Sequence, residues 1–183
     1  MEGMMRMTGL YAMEEQVIRI RNKVIEKELQ LNECLTASEL RLFEKENDVI
    51  LPEECRLFYT KIGNGGAGPY YGVLSVKMAH VEDVKTDGLE GHERDENFEG
   101  KIMRLCHEGC GFYQVIVLTG EYKGTIWIDN RVSDIGFVPL LRKEDSGLKT
   151  VGLLEWYEDW IDSGAKGMEE MFTEMFENTP WEK

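Results

Sequence analysis

Apolar positions along this chain recur first at helical and then at strand spacing. Between Met13 and Leu31, Val17, Ile20, Val24 and Leu31 form one stripe at steps of three, four and seven, widened by Ile18 and Ile25. Arg19, Arg21 and Lys23 lie largely on the other side. The pattern predicts a helix over 13–31, either packed within the domain or facing a partner, with packing the simpler expectation. A second helix is predicted from Thr36, because Thr36 and Glu39 have capping-box spacing. Leu40, Phe43 and Leu42 form its apolar face, and Asn47-Asp48 ends it. A third begins at Pro52, which suits the first helical position, where a missing N–H costs nothing. Glu53 and Glu54 then favour the positive end of the helix dipole. Cys55, Phe58, Tyr59 and Ile62 share its buried face.

Gly63 and Asn64 are expected to stop this helix through left-handed backbone angles. Gly65, Gly66, Gly68 and Pro69 make a turn, and Tyr70-Tyr71 open a strand through Leu74 and Val76. So many glycines raise the question of a phosphate loop. That motif runs strand, glycines, helix with a Lys; here the order is helix, glycines, strand, and no Lys follows. A tight corner is the better reading.

Val, Ile and aromatic residues then mark strands at 101–106, 112–118 and 125–129, with a turn at His107–Gly111 and an edge strand at Phe137–Leu140. Glu82–Gly100 between them is polar and reads as a solvated loop or weak helix anchored by Val84 and Leu89. Leu153, Trp156, Tyr157, Trp160 and Ile161 predict a helix over 151–162, and Met168, Met171, Phe172, Met175 and Phe176 another, followed by Trp181. The fold class that results is α+β: a mixed, mainly antiparallel sheet of about five or six strands, packed by helices largely on one side. Phe58, Tyr59, Trp127, Trp156 and Trp160 are expected in or near the core. One domain spans the chain, with its central part about 36–163.

Charge narrows the partners. With 21 Lys and Arg against 35 Asp and Glu, the net charge is −14. That disfavours nucleic acid and anionic membranes as partners and favours a basic protein drawn in at long range. Eight acidic and two basic residues lie between Glu82 and Gly100, and eleven acidic and three basic from Glu144 to Lys183. The first of these stretches supplies the candidate partner-binding residues Glu82, Asp83, Glu90, Glu93, Asp95, Glu96 and Glu99. No run is apolar enough to span a bilayer, no secretory signal is evident, and four irregularly spaced cysteines suit a reducing cytoplasm.

Catalytic chemistry finds little support. Cys106-His107-x-x-Cys110 offers three potential zinc ligands without a fourth, and Cys106 in a strand is readily buried as a small hydrophobe. Neighbours in a turn rarely align as a thiol and its base, and His80 and His92 stand alone. Glu53-Glu54 and Glu169-Glu170 read as solvated helix faces. Asp129-Asn130 reads as a turn. No catalytic residue, metal site or cofactor is expected.

Three stretches resemble one family in the right order: LPEECRLFYTKIGNGGAGPYYG, GCGFYQVIVLTGEYKGTIWID and LLEWYEDWID. They are similar to the signatures of the SUKH superfamily, the SMI/KNR-like bacterial immunity proteins and fungal cell-wall-synthesis regulators, over about Thr36 to Ser163. The resemblance implies a mixed sheet with flanking helices. It implies an immunity protein that neutralises a cognate toxin, often a nuclease, by occlusion without turnover. An intracellular scaffold or regulator is the alternative, and a Cys/His enzyme the third. The helix at 13–31 and the residues past Ser163 lie outside the resembling region.

Overall fold

A computed structural model describes residues 2–85 and 99–167, with side chains from residue 9 on. Helix α1 runs Glu2–Glu26, α2 Ala37–Glu46 and α3 Glu53–Leu57, the last continuing into a π-helical turn at Phe58–Ile62. Strands β1 (Val81–Val84), β2 (Gly100–Gly109), β3 (Phe112–Val117), β4 (Ile126–Asp129) and β5 (Phe137–Pro139) form one antiparallel meander in sequence order. A separate hairpin, β6 (Leu141–Glu144) and β7 (Gly147–Thr150), leads into α4 (Leu153–Asp162). The fold is therefore α+β, with a five-stranded antiparallel sheet and a two-stranded one.

The four helices among the described residues pack on one face of the meander. Met103, Leu105, Ile116, Leu118 and Ile126 point there and meet Ile20, Phe43, Phe58, Tyr59, Leu153 and Tyr157. Phe58 stands edge-on to both Tyr59 and Tyr157, at 5.4 and 4.9 Å between centroids. The two phenols are satisfied inside the core: Tyr59 donates to the Leu74 carbonyl and Tyr157 to that of Ala67. Trp156 belongs to this core, its indole N–H given to the buried Gln114 side chain at 2.7 Å. Trp127 does not join them. Strand alternation gives the helix face to Ile126, so Trp127 is buried on the opposite face with Ile102, Val115 and Val117.

The glycine corner is a packing device. Gly65 and Gly66 have φ of 79° and 116°, and a Cβ on either would stand 2.6 Å from backbone of 73–75 or of Gln30. Asn32 N–H donates to the Gly65 carbonyl and Ala67 N–H to that of Gln30, lacing the corner to the chain after α1. Gly63 ends the π-helical turn in an extended conformation, φ 176°, rather than a left-handed one. Glycine is needed there because a Cβ would meet Leu31 Cβ at 2.8 Å.

Other expectations are corrected. The predicted strand through Leu74 and Val76 reduces to single bridges at Val73 and a turn at 76–78, because the segment meets β2 only from Tyr71 to Leu74, where Tyr71 N–H donates to the His107 carbonyl and Leu74 N–H to that of Leu105. The first helix ends at Glu26, not Leu31, and the chain turns at Glu28 with φ 53°. Ile18, Ile25 and Leu42 are exposed, since the stripe that packs is narrower than their inclusion assumed. Glu82–Val84 belong to β1 rather than to a loop, and the exposed β6–β7 hairpin carries no hydrophobic alternation that would predict it. The turn after β2 is only Cys110-Gly111, at φ 51° and 88°, the positive angles that a two-residue hairpin requires. Pro52 is the N-cap of α3, one position earlier than expected. The helix predicted at Met168–Phe176 and Trp181 lie outside the described residues.

Buried carboxylates join the helices. Glu44 accepts from Leu51 N–H and pairs with Arg56 at 2.6 Å. Glu54, read as solvated, instead turns inward and accepts Leu154 N–H at 2.9 Å. It thereby caps α4, whose own N-cap, Gly152, has no side chain to do so. Burial raises the Glu54 carboxyl above its ordinary value, against the opposing hydrogen bond from Leu154. Along α4 the acidic row is neutralised from two sides. Gln16, Arg19 and Lys23 of α1 reach Glu158, and Arg142 of β6 reaches Glu155 at 2.6 Å and Asp159 at 3.3 Å. Burial pushes the Glu158 carboxyl upward, and the bonds from Lys23, Arg19 and Gln16 outweigh it, leaving it below its ordinary value.

Candidate partner interface

On the face of the meander away from the helices, aromatic rings, two guanidiniums and a carboxylate between them stand in a row. Its placement follows from a β-bulge. Arg104 pairs with Val115 and Cys106 with Gln114, so Leu105 is the extra residue in β2. Leu105 and Cys106 both turn to the helix face, and the alternation resumes one residue late. His107 is thereby delivered to the outer face beside Tyr113, its directly paired neighbour. Without the bulge, strict alternation would put His107 under the helices.

The row begins at Tyr71, which stacks on His107 at 5.4 Å; His107 lies 4.7 Å from Tyr113. The guanidinium of Arg104 sits over the Tyr113 ring at 4.3 Å, and that of Arg131 over Phe137 at 4.6 Å. Each cation–π contact at a partly exposed site contributes about 0.5–1 kcal/mol. Between the two guanidiniums stands Glu82 of β1. It accepts two hydrogen bonds from Arg131, at 2.6 and 3.0 Å, and lies 4.0 Å from Arg104. Arg131 also donates through Nε and Nη2 to Asp129 at 2.8 and 2.7 Å. One guanidinium thus holds two carboxylates in fork geometry. The hydrogen bonds from Arg131 hold the Glu82 carboxyl below its usual value, and those to Asp129 and Glu82 raise Arg131 further.

Two arginines and two carboxylates leave this row formally neutral on an acidic protein. Its members restrain one another: a ring under each guanidinium and, for Arg131, bidentate carboxylates in front. Less side-chain entropy therefore remains to be lost on contact with another surface. Tyr71 is the most open member, 62% exposed. Arg104 Nε is buried without a hydrogen-bond partner among the described residues.

The sequence-derived site falls partly here. Glu82 is in the row, but as an internal counter-ion and not as free negative charge. Asp83 points to the other face of β1 and is exposed, as is Glu99 just before β2. Glu90, Glu93, Asp95 and Glu96 lie outside the described residues. Reading the sequence missed Tyr71, Arg104, His107, Tyr113, Arg131 and Phe137. The consecutive inward residues Leu105-Cys106 were the one local sign of the bulge that assembles them.

The cysteine cluster separates in space. Cys106 is fully buried and donates its thiol to the Pro69 carbonyl at 2.9 Å, and burial pushes it up to about 12. His107 faces the opposite side of the sheet, and Cys110 is exposed at the hairpin tip. Among the described residues, no three His, Cys, Asp or Glu are grouped to hold a metal ion. Asp129 shapes the turn after β4, accepting Arg131 N–H at 3.2 Å. A cleft of about 580 Å³ lies between Tyr70, Leu140, Trp156 and Trp160. Its Ser163 hydroxyl is given to the Trp160 carbonyl. No helix among the described residues is long and apolar enough to cross a membrane. No protein-family model, curated protein or solved structure matches this chain.

Proposed function

We propose that this protein neutralises a cognate protein toxin by binding it directly, with the aromatic–guanidinium row of the outer sheet face at the centre of contact. The observation that carries this reading is the row itself: tyrosine and arginine side chains, the residue types that dominate interface hot spots, held in place by neighbours and still open to a partner. The net charge of −14 supplies long-range attraction for a basic partner such as a nuclease, while the locally neutral row gives close-range fit. The resemblance of the three sequence stretches to SUKH immunity proteins supports the same reading. Occlusion of the toxin accounts for the activity without any bond-making step, and a cytoplasmic location would place the protein where such a toxin acts.

The test is survival. The toxic domain encoded in the adjacent reading frame is expressed in cells with and without this protein. Protection with the wild type, and its loss with Tyr113→Ala and Arg104→Ala at unchanged protein level, supports the proposal. Equal killing with and without the protein rejects it.

A further inference from the structure

The second surface of interest is on α1. Its buried stripe is Val17 and Ile20, 5% and 0% exposed, with Met13 and Val24 beside them. Tyr11, Ile18 and Ile25 lie on a different side and are 64%, 58% and 71% exposed. They are spaced by seven, so they align along the helix. Arg19 and Lys23 are on yet another side, committed to Glu158 and Asp162 of α4. Three large apolar side chains in line are unusual on an exposed helix face.

Charges beside the stripe decide what fits it. At 100° per residue, Glu14 and Arg21 fall on one flank of the Tyr11–Ile18–Ile25 line, and Glu15 and Asn22 on the other. Both Glu14 and Arg21 are exposed, and among the described residues neither has an ion-pair partner. We infer that this face pairs with α1 of a second copy, antiparallel, about a two-fold axis at Ile18.

In that arrangement residue 18+k meets residue 18−k of the other copy. Ile18 meets Ile18, and Tyr11 meets Ile25. A two-fold of this kind keeps each flank against the same flank, so Glu14 faces Arg21 of the second copy, within about one residue's rise of level, and the pair occurs twice. A parallel pairing would put Glu14 against Glu15, and like charges there oppose it. The stripe therefore selects both a partner and an orientation. The surface is at the low end for specific association, on the order of 1,000 Å² in total, so a weak, concentration-dependent dimer is expected. This inference does not rest on the proposed function, since it uses neither the outer sheet face nor a toxin.

Sedimentation velocity of the full chain, run from low to high micromolar concentration, tests it. The wild type is expected to shift from monomer to dimer. Ile18→Glu sets like charges together on the axis and should weaken association about tenfold or more. Glu14→Arg faces two arginines with two others and should weaken it several-fold, whereas Glu14→Arg with Arg21→Glu should restore it. Orientation is read by oxidative cross-linking in a Cys34→Ser, Cys110→Ser background. Ile18→Cys should cross-link between copies, and Tyr11→Cys should not, because its two copies lie about 21 Å apart along the paired helices. A wild type that stays monomeric throughout, a charge swap that restores nothing, or cross-linking at position 11 but not at 18 each overturns the inference.

Discussion

The two faces of the meander use the same strands for different ends. The inner face is continuous with four helices: Phe58, Tyr59 and Tyr157 are fully buried, and their rings and hydroxyls contact only protein. The outer face buries Ile102, Val115, Val117 and Trp127, but beside them it keeps a row whose members stay partly open and are held by charge and stacking. Close packing leaves the inner face no freedom to adapt, and its residues answer only to the fold. The outer row is ordered by pairwise contacts that a partner can extend. On the proposed reading, stability and recognition are divided by the alternation of side chains across one sheet.

The largest loss of stability is expected on the inner face. Phe58→Ala removes a fully buried ring between two tyrosines and should cost about 3–5 kcal/mol in a urea melt. A loss under 1 kcal/mol would mean that the inner face is not the stabilising one.

A smaller effect tests the link between α3 and α4. Gly152 has φ −86° and ψ 170°, open to any residue, but a Cβ there would sit 2.6 Å from Glu54 Oε2. Gly152→Ala should therefore displace the Glu54 cap and cost about 1 kcal/mol. In a Glu54→Ala background the same change should cost almost nothing, a non-additivity that a double-mutant cycle reads directly. Full additivity would show that the carboxylate is not what Gly152 accommodates.

Acid distinguishes the faces again, with opposite signs. Glu82, on the outer row, titrates below its ordinary value of 4.5, so the stability it contributes is present above that value and lost as pH falls through the lowered one. Glu54, buried under α4, titrates above 4.5; its burial penalty stands at high pH and is relieved as pH falls through the raised value. Glu82→Gln should make the acid-side loss of stability shallower, and Glu54→Gln should make it steeper. Melting temperatures across the acid range check both, and equal slopes in the two variants would contradict the assignment.

The helices were legible because their signals are local. Thr36 and Glu39 form the capping box that their spacing announced, with Thr36 accepting Glu39 N–H and Glu39 accepting Thr36 N–H. Cys55, Phe58, Tyr59 and Ile62 are all buried, although the helix widens to a π turn beneath three of them. The row was not legible. Tyr71, Arg104, Tyr113 and Arg131 are far apart in sequence and meet only through strand register and one bulge. Glu54 and Glu53 are neighbours of one type, yet only Glu54 faces the open end of a helix that begins a hundred residues later. Ile18 and Ile25 misled for a related reason: spacing identifies a helix but not how wide a face its neighbours cover.

The smallest expected effect on the fold falls at Tyr71. Being 62% exposed, Tyr71 should be replaceable by Ala with less than about 0.5 kcal/mol change in stability. The most direct measurement is the affinity of the wild type and of Tyr71→Ala for the toxin that the proposal assigns to the adjacent reading frame, by calorimetry, with the melting temperature of each recorded alongside. A partner docked on the outer row predicts binding weakened by about 2 kcal/mol, roughly thirtyfold, at an unchanged melting temperature. Equal affinity in the two proteins would contradict it.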